Sequence, residues 1–466
     1  MNNKRWISKF IGTKEFYARV LIIVVPIIIQ NLITNFVGLL DNIMIGRVGT
    51  EQMAGVSIVN QLMFVFNIGT FGAISGAGIL TAQFFGRGDH QGVRNTFRFK
   101  MFASLLLVFF STLLFLFWGD NLIGMYLIGE ESPEALDLTL GYGRQYLRIM
   151  LLGLLPFAIE QYYSSTIREC GETKIPMIAG IVAVVVNLCL NMLLIFGLLG
   201  FPRLGVAGAA VATVISRYIQ VAIVLFWAHT HKEKIPFMEG LYRKLTIPRN
   251  LTLQILKKGT PLMLNELLWA GGVAIMNQCY SMRGLDVVTA TNISSTISNL
   301  FNVVLISMGN AVAIMVGQLL GAGKLEEAVD TDRKLIAFSV ASCAVMGTGL
   351  ALMAPFFPLI YNTNDQARHI ATALICVSAG FMPFFAFLHA AYFTLRSGGK
   401  TIVTFLFDSV FMWTVSIPVG YYLSRYTTLP ILPMYICCQG MDLIKCLIGY
   451  VLLKKRIWVQ VLEMKC

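Results

Sequence analysis

Charge is scarce in this chain. Only 13% of its 466 residues are Asp, Glu, Lys or Arg, whereas about 25% is usual in a soluble globular protein. Hydrophobic residues make up 56%, mean hydropathy is +0.72, and apolar runs long enough to span a bilayer recur along the whole length. A soluble domain is excluded and a polytopic membrane protein is expected. Catalytic signatures are missing too. The sequence has no Walker A motif, hence no sign of direct ATP use. It has no H-E-x-x-H, no G-x-S-x-G in a strand context and no DDxxD-type carboxylate pair for prenyl diphosphates. Nothing is left to carry an enzyme's chemistry. None of the nine cysteines has zinc-type spacing, and Cys437 and Cys438 are adjacent rather than C-x-x-C. They are expected to be small buried hydrophobes, not disulfides or metal ligands. A cleavable signal peptide is not expected, because the first apolar run continues well past an h-region and no small-residue cleavage site follows. The net charge of +12 is expected on cytoplasmic loops facing anionic lipid rather than on a nucleic-acid interface.

What is present is a series of twelve hydrophobic spans, near 16–46, 51–84, 94–119, 137–168, 174–199, 205–229, 252–281, 286–320, 326–355, 366–395, 400–424 and 430–454. Lys and Arg set their orientation. Both ends of the sequence and the loops after spans 2, 4, 6, 8 and 10 hold 27 of the 36 basic residues, against 7 on the other side. By the positive-inside rule both termini are expected in the cytoplasm.

The two halves repeat. At a constant offset of 235, Pro26 matches Pro261, Asn42 matches Asn277, Asn67 matches Asn302, Gln83 matches Gln318, Gly86 matches Gly321 and Gly88 matches Gly323. Chance is a poor explanation for polar and helix-breaking residues kept in one register. At an offset of 228, "STIRECGETK" echoes "FTLRSGGKTI" through Thr166/Thr394, Arg168/Arg396, Gly171/Gly399 and Thr173/Thr401. Six spans per half is an even number, so both halves insert the same way up, a parallel repeat of the kind transporters use for alternating access. The expected organisation is an N-lobe over 1–229, a cytoplasmic linker over 230–251 and a C-lobe over 252–466. The linker's charge, prolines and length suit a connection between two moving bodies.

Within the spans a few polar residues stand out. Asp41 follows Pro26 by fifteen residues. A carboxylate in hydrocarbon is costly, about 3 kcal/mol for Asp at a helix centre, so Asp41 either caps near the outer interface or faces an aqueous cavity and binds a cation or proton. Gln30, Asn31 and Thr34 lie on neighbouring turns and favour a polar path. Pro26 removes one helix hydrogen bond and can serve as a hinge. Asn187 and Asn191 share a face of span 5 by their i, i+4 spacing, either as interhelical amides or as oxygen ligands beside Asp41. Thr213 adds a hydroxyl from span 6. Glu266, His389 and Asp408 are candidates for the substrate path or a second site, with Glu160 and Asp442 beside them. Pairing with Arg217, Lys445 or backbone is the structural alternative for each. Histidine titrates near neutrality, so His389 is a candidate proton site, but a lone buried histidine is more often a hydrogen-bonded core residue.

The stretches "LLDNIMIGRVG", "GAGILTAQFFGRGD", "TIRECGETKIPMIAGIVAVVVNLCLN", "GVAGAAVATVIS" and "TLRSGGKT" resemble, in order and over nearly the whole chain, the multidrug and toxic compound extrusion (MATE) family, prokaryotic type. The resemblance implies an all-α integral membrane protein of twelve transmembrane helices, arranged as two six-helix lobes in a V. It implies export of cationic and amphipathic small molecules in exchange for H+ or Na+, with no other cofactor, from a monomer in the plasma membrane. It further implies that Asp41 is the N-lobe cation site, with Asn187 and Thr213 beside it, and that Pro26 is the proline tied to bending of helix 1. One departure stands out: many prokaryotic members have Asp where Asn191 stands. A single carboxylate with neutral oxygens from Asn187 and Asn191 suits Na+, and also suits proton carriage. The alternative is a flippase for a lipid-linked glycan precursor, from the related superfamily. It needs a cationic cavity for phosphates, and the few basic residues inside the spans, chiefly Arg217 and Lys445, disfavour it.

Overall fold

The computed structural model describes residues 9–46, 48–127, 133–361 and 363–462, with the side chains at 37, 39, 41–43, 46, 50 and 133 left outside that description. Asp41 therefore lies on a described helix, but its side chain is outside the described residues. Twelve helical spans lie among the described residues: α1 (Lys14–Gly46), α2 (Thr50–Arg87), α3 (His90–Met125), α4 (Pro133–Met150, a 3₁₀ turn, then Leu154–Glu169), α5 (Lys174–Phe196), α6 (Val206–Thr230), α7 (Arg249–Ser281), α8 (Leu285–Gly321), α9 (Leu325–Met353), α10 (Asp365–Ser397), α11 (Thr401–Tyr426) and α12 (Ile431–Lys454). No strand occurs among the described residues. An apolar medium offers the backbone no hydrogen bonds, so each crossing segment must satisfy its own, which only a helix does.

Ten of these helices are long and apolar enough to cross a membrane. The other two, α4 and α7, match expected spans but are more polar. α4 is broken by the turn at Leu151–Gly153 and carries Arg144 and Arg148. α7 opens on Arg249, Lys257 and Lys258 and holds Glu266 at mid-length.

Two compact units are distinguished by their internal packing. The N-unit comprises Ile29–Thr81 and His90–Thr252; the C-unit comprises the chain up to Ile28, Ala82–Asp89 and Leu253 onward. α1 passes from one unit to the other just beyond Pro26, without interruption of the helix. The N-unit core joins Val59 and Phe66 of α2, Phe115 and Ile123 of α3, Met150 of α4 and Ala209 and Ala210 of α6. The C-unit core is built in patches, one around Met276, Tyr280, Ile293 and Met434, another around Leu305, Cys343 and Met382. The eight cysteines among the described residues are free thiols.

The repeat acquires a physical meaning at the ends of α2 and α8, both within the C-unit. A Cβ built on Gly86 would overlap the carbonyl oxygen of Gln318, and one built on Gly321 would overlap that of Gln83. Gly86/Gly321 and Gln83/Gln318 are the pairs matched at the 235 offset, so the contact is reciprocal, as across a two-fold axis.

The segments after α6 and α12 also fold back onto their own units. After α6, Phe237, Met238 and Leu241 are buried. Arg94 Nε of α3 donates to the carbonyl of Phe237 at 3.1 Å and Arg98 Nε donates to that of Leu241 at 2.9 Å. Tyr163 of α4 bonds Tyr242 through their hydroxyls. Much of the stretch between the halves is thus docked chain rather than free tether. After α12, Trp458 is fully buried, the Leu462 N–H donates to Gln83 Oε1 at 2.8 Å, and Arg87 donates to the Leu462 carbonyl at 3.1 Å.

Candidate functional site

In the N-unit, α5 and α6 bring three of the expected residues together. Asn191 Nδ2 donates to Asn187 Oδ1 at 3.1 Å, Asn187 Nδ2 donates to Thr213 Oγ1 at 3.3 Å, and the Thr213 hydroxyl donates to the Ala209 carbonyl one turn back at 3.0 Å. The i, i+4 spacing stacks the two amides, and the small residues around Ala209 and Ala210 let α6 approach closely. Both asparagines are buried. The chain of bonds fixes which way each amide points, so their carbonyl oxygens occupy set positions.

The other N-unit candidates divide. Gln30 lies against Gly180 of α5, its Cγ 3.4 Å from where a Cβ would stand. The Thr34 hydroxyl is exposed and turned into its own helix, donating to the Gln30 carbonyl at 2.8 Å. Asn31 is half-buried. Glu160 is satisfied locally, accepting from Ser164 Oγ at 2.6 Å and Gln161 Nε2 at 2.9 Å. Arg217 donates to the Gly153 carbonyl at 3.1 Å and lies over the Phe157 ring.

In the C-unit the candidates gather around residues that sequence reasoning passed over. Asp408 Oδ1 pairs with Lys445 Nζ at 2.9 Å and Asp408 Oδ2 accepts from Asn265 Nδ2 at 3.1 Å. Asn265 also accepts from Ser409 Oγ at 2.6 Å and reaches the Tyr392 hydroxyl at 3.3 Å. Lys445 contacts Asp442 at 3.5 Å. Of the two readings left open for Asp408, the ion pair is the one observed. Glu266 lies by Arg396 and Tyr392. His389 is packed on Phe393 and Gly309, and its Nε2 has no protein hydrogen-bond partner.

Asn265 was within reach of the repeat: it matches Gln30 at the 235 offset, and Asp408 matches Gly180 at the 228 offset. Gln30 meets Gly180 in one unit and Asn265 bonds Asp408 in the other. The scaffold is shared while the charge belongs to one copy. The matched threonines each bond a charged side chain, but in opposite senses: Thr166 accepts from Lys100 at 3.1 Å, whereas Thr394 donates to Asp332.

The MatE family model matches residues 26–193 and again 261–422, two copies whose starts are Pro26 and Pro261. The chain belongs to the MatE family, whose members are membrane transporters rather than enzymes. Among curated relatives, it is 25% identical over 419 residues to the probable multidrug resistance protein NorM of Thermotoga maritima, covering 88% of this chain and 86% of the relative. It is 26% identical over 424 residues to the multidrug resistance protein PmpM of Pseudomonas aeruginosa, covering 90% and 86%. Among solved structures, a MATE transporter of Vibrio cholerae superposes with a TM-score of 0.84 at 17% identity, over 97% of this chain and 98% of that one. A multidrug resistance MATE transporter in an outward-facing conformation gives 0.84 at 18% identity, over 94% and 95%. At these identities the structures establish the fold: this is the MATE architecture.

Proposed function

We propose that this chain exports organic cations and amphipathic compounds across the plasma membrane, in exchange for H+ or Na+, by alternating access of its two six-helix lobes (1–229 and 252–466). The reading is supported by its multidrug resistance relatives and carried by one observation, the ordered Asn187–Asn191–Thr213 chain on α5 and α6. Asp41 supplies the charge of the coupling site, and Asn187, Asn191 and Thr213 supply neutral oxygens. For a proton the carboxylate alone suffices; for Na+ the amide and hydroxyl oxygens complete a hard shell. The ion binds one state of the N-lobe more tightly than the other, and only that difference in affinity moves the equilibrium. Pro26 lets α1 bend as the state changes, and drug is released outward as the ion enters.

The test is efflux of a cationic dye from proteoliposomes under an imposed Na+ gradient or an imposed pH gradient. One gradient should drive efflux and Asp41→Asn should abolish it at equal protein level. Full gradient-driven export by Asp41→Asn would sink the assignment.

A further inference from the structure

The C-unit carries a groove of about 970 Å³ between α9, α10, α12 and the short segment that precedes α1. That volume is at the upper end of the about 300–1,000 Å³ found for ligand sites, and none of the residues proposed for the ion or substrate path lines it. α9 lends it Arg333, Ala337, Val340, Ala341 and Ala344, whose spacings of three and four residues keep them on one helix face. From Arg333 to Ala344 this face runs about 16 Å at about 1.5 Å per residue. One leaflet's hydrocarbon, half of about 30 Å, has nearly the same depth. Alanine at three of the five positions leaves the helix surface recessed. Phe387 of α10 and Tyr450 and Leu453 of α12 form the walls, with Phe10 and Ile11 ahead of α1. Ile11, Ala341, Ala344 and Tyr450 are exposed, so the groove is open along one side.

Its charge gathers at one end. Arg333 is near the start of α9, Lys454 is the last residue of α12 and Arg456 follows it; all three line the groove. The lining holds one carboxylate against them, Asp332, which is buried and accepts from the Thr394 hydroxyl. Arg456 is paired with Glu326 at 2.8 Å. Arg333 and Lys454 make no salt bridge among the described residues; the Lys454 ammonium lies over the Tyr450 ring, 6.0 Å from its centroid. Trp458 lines the same end. It is fully buried, and its indole N–H has no hydrogen-bond partner. Tryptophan and tyrosine are the residues that sit at the level of lipid headgroups, with an apolar body and a polar edge.

We propose that this groove binds an anionic diacyl phospholipid from the leaflet on the side of the two termini. The phosphate lies between Arg333 and Lys454, and one acyl chain lies along Ala337, Ala341 and Ala344. Charge complementarity selects the headgroup: two cations without carboxylate partners attract a phosphate, as basic pockets between transmembrane helices do, and repel an organic cation. A zwitterionic lipid brings a cationic group beside its phosphate and fits less well. Shape selects the chain, because the recessed face matches one leaflet in depth. A free phosphate would leave that face empty. The bound lipid joins the segment before α1 to α9 and α12. The site is separate from the coupling residues and stands whether or not the export reading holds.

The experiment uses the full-length chain, delipidated in a non-ionic detergent and titrated with phosphatidylglycerol, phosphatidylcholine or glycerol 3-phosphate, with native mass spectrometry as the readout. Saturable retention of phosphatidylglycerol is expected, with weaker retention of phosphatidylcholine. The double variant Arg333→Gln with Lys454→Gln should weaken phosphatidylglycerol binding by about tenfold, equivalent to about 1.4 kcal/mol, and leave phosphatidylcholine binding unchanged. Ala341→Trp, which fills the groove from its exposed side, should abolish retention of both. Thermal unfolding of each variant in the same detergent confirms that it is folded. Equal retention of the two lipids, glycerol 3-phosphate binding as tightly as the lipid, or undiminished phosphatidylglycerol affinity in the folded double variant would each overturn the proposal. So would phosphatidylglycerol binding that appears only after residues 1–8 are removed, which would give the groove to the chain's own N-terminus.

Discussion

Single glycines decide whether the two repeats can touch. Gly86 and Gly321 are kept in register because each lies on the other copy's glutamine carbonyl, where no side chain fits. Gly321→Ala is expected to lower stability by about 3 kcal/mol, the upper range for overpacking a close contact. A thermal unfolding midpoint in detergent equal to that of the parent chain would refute the contact. The asparagines show the limits of legibility at this scale. Asn187 and Asn191 were readable from their spacing in an apolar run. Asn265 was not, because a lone amide next to Glu266 has no pattern of its own; only its match to Gln30 points to it. Asp408 was recognisable as anomalous, but its partner was undetermined, since Lys445 and Arg217 were equal candidates until packing chose Lys445 at 2.9 Å.

At the scale of elements, Pro26 and the stretch after α6 are the parts whose roles can be tested by substitution. α1 stays helical through Pro26 and changes unit two residues later, between Ile28 and Ile29. Pro26→Ala restores the missing N–H and should leave the fold intact while slowing dye efflux. An unchanged efflux rate in proteoliposomes would remove Pro26 from the hinge. The 230–251 stretch resembles a tether in composition, with its prolines and charges. Yet Phe237 and Leu241 are buried and their carbonyls are held by Arg94 and Arg98. Composition reports average polarity and misses two apolar anchors separated by four residues. Hydrogen bonds to a charged donor contribute about 1.5–3 kcal/mol, so Arg98→Ala should speed amide hydrogen exchange over 237–243 by about tenfold or more. Mass-spectrometric exchange that is the same in both proteins would show that the docking is not held by this arginine.

For the whole molecule, the basic residues carry a prediction that packing alone does not make. With 27 of 36 on one side, both termini are expected in the cytoplasm. Green fluorescent protein fused to the C-terminus should fluoresce in a bacterial host, and alkaline phosphatase fused there should be inactive; the reverse pattern would invert the assignment. The number of spans, their helical character and the internal repeat followed from the sequence alone, because hydrocarbon imposes one solution on every backbone that crosses it and duplicated segments keep their register. Tertiary structure decided the rest. It joined Asn187 to Thr213 and Asp408 to Lys445, folded the segments after α6 and α12 onto their own units, and left Arg333 and Lys454 lining one groove. Those outcomes depend on which faces of separate helices meet. That is set by close packing of small residues and by the pairing of buried polar groups, neither of which a linear pattern of hydropathy records.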